Sequence, residues 1–357
     1  MANKIQIRRG NKANLPTLSA GEPAFCTDTN QLFVGNGSTN IEYAKQISVD
    51  SLNSQMNEIA NRNLLINGDF LINQRGQTQY NKNYKYTVDR WYLSNMNKDT
   101  ITEKGVLNVY DGFVELTGMG DYQLYIQQAS NEVKQLQNKT ITFSVDARVE
   151  NMSKGNIFVQ FSYKYNSNQS GLGKKTFDNT QLNGEWKRIS VTYTIPNYKL
   201  DQFWAQFGSF NDPDNGYLPV NTECKIQFRN AKLEIGEKAT PFIPRLHGEE
   251  ITLCKRYYQN NPSNVWFQFS RSQGGGLRCD IPVGPMRVIP TLIFPNNYVE
   301  IYNNASQWVR IPKENCMISG NYASQITLQI DSKDAIGLSD FRTYIARNIP
   351  SFDSELY

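Results

Sequence analysis

The stretch KTITFSVDARVE, Lys139–Glu150, alternates apolar and polar side chains, with Ile141, Phe143 and Val145 in one phase. A period of two is the signature of a strand buried on one face and wet on the other. The pattern repeats on both sides of it. In NIFVQFSYKY, 156–165, Val159, Phe161 and Tyr163 oppose Phe158, Gln160 and Ser162. In EWKRISVTYTIP, 185–196, Ile189, Val191, Tyr193 and Ile195 share a phase. FWAQFGSF and CKIQFRNAKLEIGEKATPF continue the series, with Asn, Gly and Pro between the runs. Even spacing of short strands with turn residues predicts a β-sandwich rather than a helical or α/β domain.

Composition agrees with an all-β protein and excludes several functions. The chain has 357 residues, too many for one ordinary domain. Apolar residues make up 39%, aromatics 12%, with twenty Tyr, and mean hydropathy is −0.56, low for a compact enzyme. The formal net charge is +4 and no segment concentrates it, whereas a nucleic-acid binder would gather Lys and Arg on one stripe. The basic start Met1–Gly10 is followed by no apolar run, so no secretory leader is expected, and no run is long enough to insert into a membrane. Cys26, Cys224, Cys254, Cys279 and Cys316 are odd in number and widely spaced, the pattern of reduced thiols from a cytoplasm.

The N-terminal stretch IQIRRGNKANLPTLSAGEPAFCTDTNQLFVGNGSTN, Ile5–Asn40, reads as a small β module. Ile5 and Ile7 alternate with polar residues, Leu32-Phe33-Val34 forms a short apolar run, and Gly35-Asn36-Gly37 supplies a tight turn. The ordered landmarks IQIRRG, a Leu-Pro turn, GEPAF, T-D-T and a terminal G-N-G resemble the tail-attachment module of tailed-phage tail fibres and receptor-binding proteins, like that of major tropism determinants. The resemblance implies an attachment module over residues 1–45 whose partner is the phage tail or baseplate, and a homotrimer.

Downstream, Val49, Leu52, Met56 and Ile59 are spaced three, four and three apart, an a/d seam within residues 46–62. The reading is either an amphipathic linker helix or a short coiled-coil stem, and the resemblance favours the stem. Residues 63–245 resemble the carbohydrate-binding-module-like jelly roll of tail-fibre proteins. The match lies in Asn63-Leu64-Leu65-Ile66-Asn67-Gly68-Asp69-Phe70, Asp89-Arg90-Trp91-Tyr92, Lys232-Leu233-Glu234-Ile235-Gly236 and Thr240-Pro241-Phe242. HGEEITLCKRYYQ, His247–Gln259, predicts a short helix, acidic at its start and basic at its end, with Leu253 and Tyr257 on one face. Residues 246–357 are strand-like again, and Pro285–Thr291 with Asp353-Ser354-Glu355-Leu356 resemble the family's small C-terminal β-sandwich, the receptor-binding tip.

Catalytic chemistry is sparse. His247 is the single histidine, which leaves no Ser-His or zinc constellation. Gly171-Leu172-Gly173-Lys174-Lys175-Thr176 fails the phosphate-loop pattern at Asn168 and Lys175 and reads as a hairpin loop. A glycosidase needs two facing carboxylates, and no pairing is visible among Asp89, Asp146, Glu185, Asp201, Asp212, Asp214 and Glu234. No cofactor is expected beyond a structural Ca²⁺, which the jelly-roll resemblance implies at Asp69 and Glu234 on the first and last strands. Sugar recognition uses aromatic faces. Trp91, Trp186 and Trp204 fall in strand motifs and read as core. Trp266 and Trp308, beside Asn-rich segments and near Tyr298 and Tyr302, read either as core or as exposed glycan anchors.

The expectation is a virion tail-fibre or receptor-binding protein of a phage or tail-like bacteriocin. It would not be an enzyme, and it would adhere to host surface glycan through its C-terminal domains. Its rivals are a depolymerase tailspike and a purely structural baseplate component.

Overall fold

The computed structural model describes residues 7–43, 62–96, 104–120, 123–130, 136–165, 169–182, 184–261, 267–271, 276–283, 286–294, 296–303, 306–322, 325–330, 343–347 and 349–355. The chain forms two compact units, Met1–Arg62 and Asn63–Tyr357. The expected stem residues Val49, Leu52, Met56 and Ile59 lie outside the described residues, as does Trp266.

In the first unit, β1 (Arg8–Gly10), β2 (Pro23–Cys26), β3 (Gln31–Gly35) and β4 (Asn40–Tyr43) form one sheet in chain order. β1 runs parallel to β2, and the other pairs are antiparallel. Leu18, Ala24, Cys26 and Phe33 make its small core. The two turn glycines have different jobs. Gly37 takes φ +89°, and beside it Asn36 Oδ1 accepts the backbone N–H groups of Ser38 and Thr39 at 2.9 and 2.7 Å. Gly35 has no such φ; a Cβ there would stand 2.4 Å from the carbonyl oxygens of Leu18 and Ser19, so close backbone approach requires it.

The second unit opens with a β-sandwich. Its strands are β5 (Gln79–Tyr80), β6 (Lys85–Tyr86), β7 (Tyr92–Met96), β8 (Val106–Tyr110), β9 (Phe113–Thr117), β10 (Gln123–Ala129), β11 (Thr140–Glu150), β12 (Asn156–Tyr165), β13 (Gln169–Asp178), β14 (Lys187–Thr194), β15 (Leu200–Ser209) and β16 (Lys225–Ile235). One six-stranded sheet has the order β13-β12-β15-β10-β7-β6, and the other has β14-β11-β16-β9-β8-β5. Between them the Phe207 ring from one sheet meets Phe228 and Phe143 of the other, with centroids 4.5 and 6.1 Å apart. The alternation that predicted these strands is the alternation that fills the core: Ile141, Phe143, Val145, Val159, Phe161, Ile189 and Val191 are all buried there. Gly171 and Gly173 are not in a hairpin loop. They lie in β13, opposite Tyr163 and Phe161, whose rings occupy the space a Cβ would fill. Glycine's missing side chain lets those rings cross the neighbouring strand.

A single α-helix stands among the described residues, α1 (His247–Lys255). It stops short of the expected Gln259 because Tyr258–Gln259 become β17, paired with the C-terminal β26 (Ser351–Asp353), and Ser354 N–H bonds the Tyr257 carbonyl at 2.6 Å. Between them run β18 (Phe267–Arg271), β19 (Leu277–Pro282), β20 (Thr291–Ile293), β21 (Tyr298–Tyr302), β22 (Trp308–Pro312), β23 (Cys316–Tyr322), β24 (Gln325–Ile330) and β25 (Thr343–Arg347). They form a three-stranded sheet, β17-β26-β20, and a seven-stranded sheet, β22-β21-β25-β18-β19-β24-β23. Phe269, Ile281, Val299, Ile301, Leu328 and Phe352 are among the residues of their shared core.

A buried ionic network ties this C-terminal part to the sandwich. Arg90 is 2% exposed; its guanidinium pairs with Glu355, donates to the Ala129 carbonyl at 2.7 Å and stacks 3.6 Å over the Tyr257 ring. Arg75 lies 3.8 Å from Asp89, 3.4 Å from Asp353 and 3.7 Å from Glu355, above the Tyr258 ring. Asn67 closes the joint. Its side chain bonds the Ile72 backbone and the Asp89 carbonyl, its own carbonyl accepts the Trp91 indole N–H at 2.8 Å, and its N–H reaches Glu250 of α1. The motifs at 63–70, 89–92 and 353–355 that carry the resemblance are therefore one hydrogen-bonded joint.

Burial pushes the Asp89 carboxyl up to about 6, although Arg75 and Gln74 pull it down. The folded carboxyl thus holds its proton more tightly than the unfolded one. Its contribution to stability is present in full below the ordinary 3.8 and is lost as pH rises through about 6. In urea titrations, the stability of wild type relative to Asp89→Asn should rise as pH falls through this window. A difference that stays flat, or runs the other way, would contradict this.

Candidate functional site

Strands β7, β10, β15 and β12 turn one face inward and one outward, and the outward face forms a cleft of about 470 Å³. In β15 the inward residues are Phe203, Ala205 and Phe207, so Trp204 and Gln206 face out. In β10, Leu124 and Ile126 go in while Tyr125 and Gln127 face out. Register brings these outward residues into rows: Gln127 opposes Gln206, which opposes Gln160, and Trp204 opposes Ser162.

The floor is a relay of amides. The Tyr217 hydroxyl donates to Gln160 Oε1, Gln160 Nε2 donates to Gln206 Oε1 at 2.6 Å, and Gln206 Nε2 donates to Gln127 Oε1 at 2.6 Å. Ser162 Oγ adds a bond to Gln206 Oε1 at 3.2 Å. Each amide is fixed by its neighbour, so the floor presents donors and acceptors in set directions. Phe158, though on this outward phase, is buried beneath Tyr125 and Tyr217, whose rings stand edge-on at 5.6 and 5.4 Å. Burial raises the Tyr125 phenol, keeping it a neutral hydroxyl.

The walls are aromatic. On one side Tyr84 stacks on Tyr92 at 6.1 Å and Tyr86 meets Tyr92 edge-on at 5.1 Å. On the other stands Trp204, half-buried, with Lys164 Nζ 5.9 Å above its ring. Among the described residues, Lys164 is the only charged residue lining the cleft, and no carboxylate lines it. Tyr84 is held at φ 56°, a region few bulky residues adopt, while its side chain remains 51% exposed. Its N–H bonds the Leu93 carbonyl at 3.0 Å, which keeps the turn in place. Such strain persists only where surrounding structure holds it, and it recurs at ligand sites.

The tryptophans divide differently from the sequence expectation. Trp91 is core, fully buried against Phe70 and Phe207. Trp204 is not core but cleft wall. Trp186 is also only half-buried, lying between the guanidinium groups of Arg148 and Arg229 at 5.0 and 4.3 Å. The phase of β15 was the missed signal, because Trp204 alternates with Phe203, Ala205 and Phe207 and keeps step with Gln206.

Of the expected C-terminal anchors, Tyr302 and Trp308 face each other across β21 and β22 with rings 5.3 Å apart. Tyr298 lies at the other end of β21 beneath Arg310. Among the described residues, the expected calcium residues Asp69 and Glu234 share no hydrogen-bond partner. Glu234 is fully buried, paired with Lys232 Nζ at 3.0 Å and accepting the Thr240 N–H and hydroxyl at 2.8 and 2.5 Å. Burial raises the Asp69 carboxyl, which accepts the Leu71 N–H at 3.4 Å. With Glu234 Oε1 accepting the Thr240 backbone N–H and Oε2 held by Lys232 and the Thr240 hydroxyl, this donor pair does not fit a calcium ion as it stands. Among the described residues no group of three or more His, Cys, Asp or Glu side chains is placed to hold a metal.

Comparison with known proteins gives a family match within the N-terminal unit. Residues 5–39 match the family described as the major tropism determinant N-terminal domain. No curated protein matches the chain. Solved structures similar to it include one described as CBM4, 17% identical, covering 48% of this chain and 98% of that one with a TM-score of 0.31. The CBM22-1 xylan-binding domain from Paenibacillus barcinonensis is 6% identical, covering 50% and 97%, with a TM-score of 0.29. The enzymatically active domain of bacteriophage CBA120 tailspike protein 4 is 8% identical, covering 49% and 21%, with a TM-score of 0.29. At such scores none of these structures assigns a ligand to this chain.

The strain at Tyr84 gives a stability test. Tyr84→Gly should unfold in urea about 1 kcal/mol harder than Tyr84→Ala, because glycine accepts the left-handed backbone and alanine does not. Equal stabilities for the two variants would show that the turn imposes no strain.

Proposed function

We propose that this chain is a receptor-binding protein of a phage tail or tail-like particle, anchored through its N-terminal unit and attaching to host surface carbohydrate. The observation that carries the reading is the cleft: rigid aromatic walls over a floor of oriented amides is the arrangement that holds a sugar ring. Apolar sugar faces stack on the walls while hydroxyls exchange bonds with the floor. The tropism-determinant match at residues 5–39 supports the tail setting. The proposed cleft lies in the sandwich, apart from the C-terminal aromatics expected from the sequence, with Tyr84, Tyr92, Trp204, Gln127 and Gln206 as its principal residues.

Binding rather than cleavage is proposed, because hydrolysis of a glycosidic bond requires a carboxylate pair and, among the described residues, none lines the cleft. Self-association into a trimer is part of the proposal. Three weak sites per particle arm, multiplied over a tail, would convert millimolar-class contacts into firm attachment. Light scattering should return a mass near three times 40.9 kDa, and a monomer mass at micromolar concentration would remove that part.

The functional test is labelled protein on host cells and extracted wall glycans. Trp204→Ala should weaken per-site affinity by roughly thirtyfold, about 2 kcal/mol, with the fold retained by circular dichroism. Trp186→Ala, just before β14 of the opposite sheet, should leave binding unchanged. Binding indifferent to Trp204 would reject the cleft, and release of new reducing ends would reject the binder in favour of a depolymerase.

A further inference from the structure

We infer that the outer face of the seven-stranded sheet carries a second glycan site, selective for sugars bearing an oxyanion, centred on Arg310, Glu300 and Arg347. Three neighbouring strands bring these residues into one row, since Glu300 of β21 is the register partner of Arg310 on β22 and of Arg347 on β25. Glu300 is buried and receives both guanidinium groups through their Nε atoms, Arg310 at 3.2 Å and Arg347 at 2.7 Å. Although burial pushes its carboxyl up, the two arginines outweigh it and hold Glu300 in the charged form.

This clamp uses the Nε edge of each guanidinium and leaves the Nη atoms without a hydrogen-bond partner among the described residues. Two planar forks fixed at one end and open at the other suit a carboxylate or phosphate, which guanidinium binds bidentately. Among the described residues, the row sets two cations against one carboxylate.

Aromatic rings flank the forks. Arg347 lies 4.1 Å over the Trp308 ring, Arg310 4.6 Å over Tyr298, and Tyr302 packs on Trp308. A sugar stacked at this edge would place a charged substituent over the forks. Farther along the same face, roughly 10–14 Å or two to three strand spacings away, runs a polar groove of about 760 Å³ with Gln268, Ser270, Arg278, Asp280, Gln325 and Thr327 along it. That separation is enough for the next sugars of a chain to reach it.

The site is separate from the sandwich cleft, and calorimetry on the full chain distinguishes them. The probes are an oligogalacturonide, a phosphodiester-linked sugar polymer and a neutral galactan. Wild type should bind at least one anionic probe more tightly than the galactan, and added salt should weaken that binding. Arg310→Gln, at a side chain 68% exposed and therefore tolerant of change, should cut it at least tenfold. Arg310→Lys, which keeps the charge without the fork, should recover only part of the loss, and Trp204→Ala should have no effect on it. The anionic probe that binds identifies the substituent as carboxylate or phosphate. Anionic binding no tighter than the galactan, or lost in Trp204→Ala and kept in Arg310→Gln, would overturn the second site while leaving the cleft reading intact.

Discussion

The second unit depends on a charge placed where charges are expensive. Arg90 sits at φ 73°, 2% exposed, and its partner Glu355 lies 265 residues away at the end of the chain. Neither charge would be tolerated there alone, because removing one partner leaves the other desolvated and unpaired. Sandwich and C-terminal sheets are thus obliged to form against each other. The pair gives specificity of docking more than net stability, since buried ion pairs repay their desolvation only when geometry is good. Here the geometry includes the Ala129 carbonyl on Nη2 and the Tyr257 ring on the guanidinium face, while the buried Nε is left without a hydrogen-bond partner among the described residues.

That joint also backs the cleft. Ala129, whose carbonyl Arg90 holds, lines the cleft on β10, and the Arg75 guanidinium lies 5.5 Å from the ring of Tyr86 on the aromatic wall. Trp91, locked through its indole to Asn67, immediately precedes Tyr92. The wall tyrosines therefore stand on residues fixed by buried hydrogen bonds rather than on free loops. A preorganised wall loses less entropy when a ligand settles on it, which matters for shallow, low-affinity sugar contacts.

Much of this was legible in the sequence, for identifiable reasons. Period-two alternation found β11, β12 and β14 because one face of each is a continuous apolar core. It missed β21, β22 and β23, whose outward residues include Tyr302, Trp308 and Met317 and so blur the contrast between faces. The motifs at 63–70 and 89–92 were recognised as shared pattern, but their role as a joint was invisible. Asn67, Glu250 and Glu355 are brought together only by the fold. The cleft was half legible: the phase of Trp204 and Gln206 could be read from β15 alone. Its partner wall could not, since Tyr84 and Tyr92 come from a turn and strand more than a hundred residues earlier.

Hydrogen exchange of the full chain, with and without the host wall polysaccharide, tests the central claim most directly. Bound glycan should slow exchange in β10, β12 and β15, the strands that carry Gln127, Ser162, Trp204 and Gln206, and in the turn holding Tyr84. The opposite sheet, β14-β11-β16, should exchange as before. Protection that appears elsewhere in the second unit, with those three strands unchanged, would contradict the account.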